Sequence, residues 1–115
     1  PLLLRKSDIV TLHIAVGNHP KLFIGASELQ KIKKGSWFIN MARGGAVDEQ
    51  ALYEVLVKGH LSGAALDVFS EEPYQGPLKD LPQVILTPHI GSYALEARVQ
   101  MELEAVDNLL RGLKK

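Results

Sequence analysis

Four short runs of apolar, β-branch-rich residues, each followed by a turn or a helix-like segment, constrain this chain more than any other feature. They span residues 8–13, 37–41, 63–68 and 84–87. Near-continuous apolar runs suit strands covered on both faces of a parallel sheet. After the first run comes a looser stretch with Gly17, Asn18 and Pro20. A short helix over 26–32 follows, with Leu29 and Ile32 on one side and Gly35 closing it in the left-handed conformation. Asp48 is the predicted N-cap of the next helix. Glu49 falls in its first turn, Leu52, Val55 and Leu56 have helical spacing, and Gly59 marks its end. The small side chains of 63–68 predict close cover by a helix. Pro73, Gly76, Pro77 and Pro82 punctuate a loop. Leu95, Val99, Leu103, Val106, Leu110 and Leu113 recur every three or four residues, which predicts an amphipathic final helix. Strand and helix alternate throughout. The expected fold class is therefore α/β, a parallel sheet of about four strands with flanking helices and right-handed crossovers, in one domain over 1–115.

Composition excludes several classes of function. Thirteen basic residues balance thirteen acidic ones, so no charge footprint points to nucleic acid or to an anionic membrane. Without cysteine there is no disulfide, thiol nucleophile or cysteine-bound metal, and the histidines lack zinc spacing. No apolar run approaches the roughly 20 residues of a membrane span, and no leader pattern suggests secretion, so a cytoplasmic protein is expected. The first residue is Pro1 rather than Met, which suggests a chain that begins partway through a longer polypeptide.

In open α/β sheets ligands bind beyond the carboxyl ends of the strands. His13 follows the first run. Asn40, Arg43 and two glycines follow the second. Asp67 ends the third, with Glu71 and Glu72 after it, and His89 follows the fourth. Parallel strands bring all four ends to one edge. The Arg43 guanidinium suits a carboxylate, and the bare backbone of Gly44 and Gly45 permits a ligand to approach; a surface ion pair is the other reading. His89 suits proton transfer near neutral pH, or a structural role. Either Glu72 or Glu71 is a possible partner for it, and spacing alone does not choose. Asp67 either contacts a ligand or caps a turn. His13 is expected along the same edge. His19, His60, Glu49, Glu54, Lys33 and Lys34 read as solvated, and Trp37 and Phe38 as core. There is no G-x-G-x-x-G or P-loop pattern.

At Ile39-Asn-Met-Ala-Arg-Gly-Gly-Ala-Val-Asp48 the sequence becomes specific. It resembles the D-isomer-specific 2-hydroxyacid dehydrogenases. Ser7-Asp-Ile-Val-Thr-Leu-His13 resembles that family's strand ending in His. Val47-Asp-x-x-Ala-Leu52 resembles the helix after its arginine motif. Gly63-Ala-Ala-Leu-Asp-Val68 with Glu72-Pro73 resembles its acidic motif, and Thr87-Pro-His-Ile-Gly91 its histidine motif. The four occur in order at compatible spacing, over residues 6 to 112. The segment 91–98 resembles the phosphoglycerate and glyoxylate-reducing branches.

The resemblance implies a partial Rossmann-like doubly wound sheet and an NAD or NADP cofactor, with NAD favoured. Arg43 matches the arginine that holds the 2-oxo acid, and His89 matches the acid/base. Glu72, immediately before Pro73, matches the glutamate paired with that histidine; Glu71 does not. His13, Ala42, Arg43, Asp67, His89 and Gly91 match positions along the cofactor. Formate-oxidising relatives have glutamine where Glu72 stands, which implies a 2-hydroxy or 2-oxo acid here. The implied partners are that small acid and, in the parent enzyme, a second copy in a homodimer, with self-association expected of the fragment. Ala15, Gly17 and Pro20 depart from the family pattern in a loop along the cofactor. Family members are about three times as long. The 115 residues thus resemble the second half of the dinucleotide-binding domain, without its glycine-rich loop or the catalytic domain, and an inactive piece is implied. The rival reading is a non-catalytic, corepressor-like regulator on the same scaffold.

Overall fold

The computed structural model describes residues 2–14 and 23–113. Ala15, Gly17, Asn18, His19 and Pro20 lie outside the described residues. The elements in chain order are α1 (Leu2–Lys6), β1 (Ile9–Leu12), α2 (Ala26–Lys31), β2 (Trp37–Asn40), α3 (Glu49–Val57), β3 (Gly63–Leu66), β4 (Val84–Leu86) and α4 (Leu95–Leu113). Short 3₁₀ turns occupy Gly44–Ala46 and Pro77–Asp80. The four strands form one parallel sheet in the order β1-β2-β3-β4, with β1 at an edge as expected.

The register explains which residues are buried. Val10, Phe38 and Ala64 lie side by side, as do Leu12, Asn40 and Leu66. These residues share a face and join one core with Leu29 and Ile32, and with Leu52, Val55 and Leu56 of α3. Local chemistry fixes those helices. The Asp48 side chain accepts from Ala51 N–H at 2.9 Å, as predicted for an N-cap. Gly35 and Gly59 both have positive φ, at 82° and 67°, where a side chain would be strained.

The opposite face of the sheet carries Ile9, Trp37, Ile39, Ala65 and Ile85. Trp37 is 46% exposed, whereas Phe38 is fully buried. The expectation that both are core therefore holds only for Phe38: alternation along β2 sends the indole to the uncovered side. The small residues of β3 have two explanations rather than the single expected helix. Ala64 lies in the core, but a Cβ on Gly63 would stand 2.3 Å from the Trp37 ring, which lies across it. The predicted final helix forms over its expected span and buries no residue. It contributes to a longest dimension of 57 Å, against 29 and 24 Å for the others. None of the described helices is long and apolar enough to cross a membrane.

Candidate active site

Asp67 follows β3 directly and is only 4% exposed. Its Oδ1 accepts from Thr87 Oγ1 at 2.6 Å and from Ile90 N–H at 2.9 Å, and its Oδ2 accepts from Gly91 N–H at 2.8 Å. Burial alone would raise this carboxyl. The three hydrogen bonds, with the His89 charge nearby, outweigh it and hold the group below its ordinary value. Both Asp67 oxygens are thus engaged by the segment after β4, which Asp67 caps.

That segment presents His89 with φ 54°, a left-handed backbone that a non-glycine residue adopts at a cost. His89 Nδ1 lies 3.0 Å from Glu72 Oε2. The other glutamate oxygen accepts from Phe69 N–H at 3.1 Å. The His89 imidazole first, then the Phe69 N–H, hold the Glu72 carboxyl below the usual carboxylate range. Glu72 is therefore the glutamate at the histidine, as its place before Pro73 implied. Beside the pair, Phe69, Tyr74, Leu86 and Pro88 line a cleft of about 390 Å³.

The arginine segment is built differently. Asn40, fully buried at the end of β2, donates from Nδ2 to Arg43 O and accepts Ala42 N–H at Oδ1, both at 3.1 Å. The asparagine thus shapes the turn that carries Arg43. The guanidinium is exposed and, among the described residues, donates to Ala42 O alone, at 2.7 Å. The bare backbone of Gly44 and Gly45 is one reason to expect a ligand beside Arg43. The structure corrects this at Gly44: a Cβ there would lie 1.8 Å from the Phe69 carbonyl carbon, so the β3–β4 loop occupies that space. Only Gly45 remains open.

The match that decides the family covers residues 1–91, by the model for the D-isomer specific 2-hydroxyacid dehydrogenase NAD binding domain. The chain belongs to that family. A glyoxylate/hydroxypyruvate reductase B of Pectobacterium carotovorum is 45% identical over 113 residues, which is 96% of this chain and 35% of that protein. A glyoxylate reductase structure from Paecilomyes thermophila superposes with a TM-score of 0.92 at 37% identity, covering 99% of this chain and 35% of that one. An NAD-complexed family member from Lactobacillus delbrueckii ssp. bulgaricus superposes with a TM-score of 0.85 at 30% identity, over 98% and 39% of the two chains. The chain spans about a third of the length of the relatives it matches.

In this dehydrogenase domain the structure brings some of the expected site residues together and leaves others apart. Glu72 meets His89, and Asp67 meets Gly91. His13, at the end of β1, is exposed and pairs with Thr11 Oγ1 at 2.8 Å, not with another expected site residue. Ala42 is buried, with its N–H and carbonyl both engaged locally. Two residues read as solvated are half-buried and make hydrogen bonds within the chain. His60 Nε2 donates to Ile32 O at 2.8 Å. Glu49 Oε1 accepts from Ser70 N–H at 2.6 Å and from Ser70 Oγ at 3.0 Å. Thr87 and Asn40 stood inside recognised motifs without an assigned task. A polar residue at the buried end of an apolar strand was the available signal.

Proposed function

We propose that this chain supplies the acid/base half of an NAD(P)-dependent D-2-hydroxyacid dehydrogenase that reduces a small 2-oxo acid such as glyoxylate or hydroxypyruvate. The observation that carries the reading is the Glu72–His89 contact at the same sheet edge as Arg43. With Nδ1–H given to Glu72, His89 keeps Nε2 for the substrate. In reduction, Nε2–H donates its proton to the carbonyl oxygen, and Glu72 stabilises the imidazolium before transfer. Arg43 holds the substrate carboxylate with its planar fork and offsets negative charge growing on the carbonyl oxygen.

The nicotinamide, when bound, supplies the hydride. Residues on this edge fit that end of the cofactor: His13, Ala42 and Gly91 stand beyond strand ends, where open α/β sheets take dinucleotides. The sequence holds no glycine-rich turn for the pyrophosphate. NAD is the favoured form, and relatives' names support the choice of 2-oxo acid. The β1 edge of the sheet, with Ile9 exposed, supports self-association of the piece; a homodimeric parent is what the family resemblance implies.

The test is steady-state oxidation of NADH and NADPH by the whole protein with glyoxylate and hydroxypyruvate. Arg43→Ala and His89→Ala should each lower kcat/KM by roughly 10²-fold or more. The 115 residues alone should show no turnover, because the gain from ordered reactants, about 7–11 kcal/mol, needs both partners held. A whole protein that binds NADH yet reduces neither acid would instead favour the regulatory reading.

A further inference from the structure

Two connections that are distant in sequence meet at one peptide. The Phe69–Ser70 backbone passes so close to Gly44 that a Cβ there would stand 2.3 Å from Ser70 N. The same Ser70 N–H is held by Glu49, in the first turn of α3, whose Oε1 also takes the Ser70 hydroxyl. The residue before Ser70 donates its N–H to Glu72. A carboxylate on a helix thus fixes a peptide whose neighbour orients the glutamate facing His89. The packing of that peptide against Gly44 joins the segment to the turn presenting Arg43.

We propose that Glu49 is a positioning residue, whose carboxylate holds the Ser70 turn so that Glu72 reaches His89. The proposal rests on the reading of Glu72 and His89 as the acid/base pair. Two hydrogen bonds to one charged oxygen are stronger than neutral ones and give the loop a fixed anchor. Reach, rather than charge alone, is what the anchor requires. Aspartate withdraws the carboxylate by about 1.5 Å and cannot span to Ser70, yet it keeps a negative charge in the first turn of α3. Glutamine keeps the reach and one acceptor oxygen, and loses the charge.

The experiment follows the Glu72 carboxyl by carbon NMR through a pH titration of the 115-residue chain, with His89 and Asp67 as the charged groups acting on it. In the parent sequence the midpoint should lie below the ordinary glutamate value. Glu49→Asp should raise it toward that value, and Glu49→Gln should leave it where it was. A midpoint that ignores Glu49→Asp, or one that Glu49→Gln raises as far, overturns the proposal. Because the readout is not turnover, it separates two failures. A parent enzyme that reduces no 2-oxo acid removes the functional reading and leaves the titration intact; an unmoved midpoint removes the anchor and leaves that reading standing.

Discussion

The two halves of the candidate site are held in opposite ways. At the histidine, side chains do the fixing: Asp67 takes three hydrogen bonds from the segment after β4, and Glu72 takes one from the ring itself. At the arginine, one buried side-chain amide and close packing of backbone on backbone do the fixing. Asn40 shapes the turn and Gly44 is wedged against Phe69, while the guanidinium stays exposed with a single bond to its neighbour's carbonyl. The difference teaches what each group needs. In the proposed reaction His89 gives a proton, which needs an aimed ring, and the chain holds that aim itself. An arginine that clamps a carboxylate can complete its geometry on the ligand, provided its Cα is well placed.

The largest effect should come from breaking the backbone half. Gly44→Ala places a methyl 1.8 Å from the Phe69 carbonyl carbon and 2.0 Å from its oxygen, so one loop must move. Overpacking against backbone, which cannot rotate away, should cost roughly 3 kcal/mol or more. Urea unfolding of the chain measures this. Gly45→Ala, with nothing near its Cβ, is the control and should cost far less. Equal losses would mean that the wedge is not what orders this turn.

Next comes the side-chain half. Asp67→Ala leaves the Ile90 and Gly91 N–H groups without their acceptor and the left-handed His89 without its clamp. Stability should fall by roughly 2–3 kcal/mol. The folded pKa of Asp67 lies below its unfolded value. Its contribution is therefore fully present above the unfolded pKa of about 4 and is lost as pH falls through the folded value. Glu72 has the same sign. Urea midpoints measured from pH 7 down to pH 3 should decline, and Asp67→Asn should flatten that decline. A variant that keeps the full acid dependence would assign it elsewhere.

The same contrast decides what was legible in the sequence. Strand order and the Asp48 cap were readable because they depend on neighbouring residues and on apolar pattern. Glu72 was separable from Glu71 only through its place before Pro73, since pattern treats adjacent carboxylates alike. Glu49 looked solvated because its partner, Ser70, is 21 residues away and serine gives no long-range signal. The His60 bond was hidden for the same reason, its partner being the distant Ile32 carbonyl. Gly44 was recognised as a place of close approach, but the approaching group was the chain's own backbone, which no local pattern names. Trp37 shows a further limit. Hydrophobicity marks a residue that prefers cover, and only the register reveals that its face of the sheet is open.

The smallest stability effect should belong to the residue with the largest proposed catalytic one. Arg43→Ala removes an exposed side chain whose one hydrogen bond among the described residues reaches the preceding carbonyl. Ala42 itself is buried, but the guanidinium that lies on its carbonyl is exposed, so the side chain adds little burial of its own. The turn itself is held by Asn40 and by Gly44, neither of which the substitution touches. Unfolding free energy should therefore change by no more than about 0.5 kcal/mol. The whole protein should nevertheless lose nearly all reduction of 2-oxo acids, with a large rise in KM, because the carboxylate loses its bidentate partner. Guanidinium ion added in solution should restore part of the rate in Arg43→Ala, and none in His89→Ala, if the arginine acts through its ligand rather than through the fold. A loss of stability comparable to that of Asp67→Ala would show that the guanidinium is part of the scaffold, and the division between the two halves would fail.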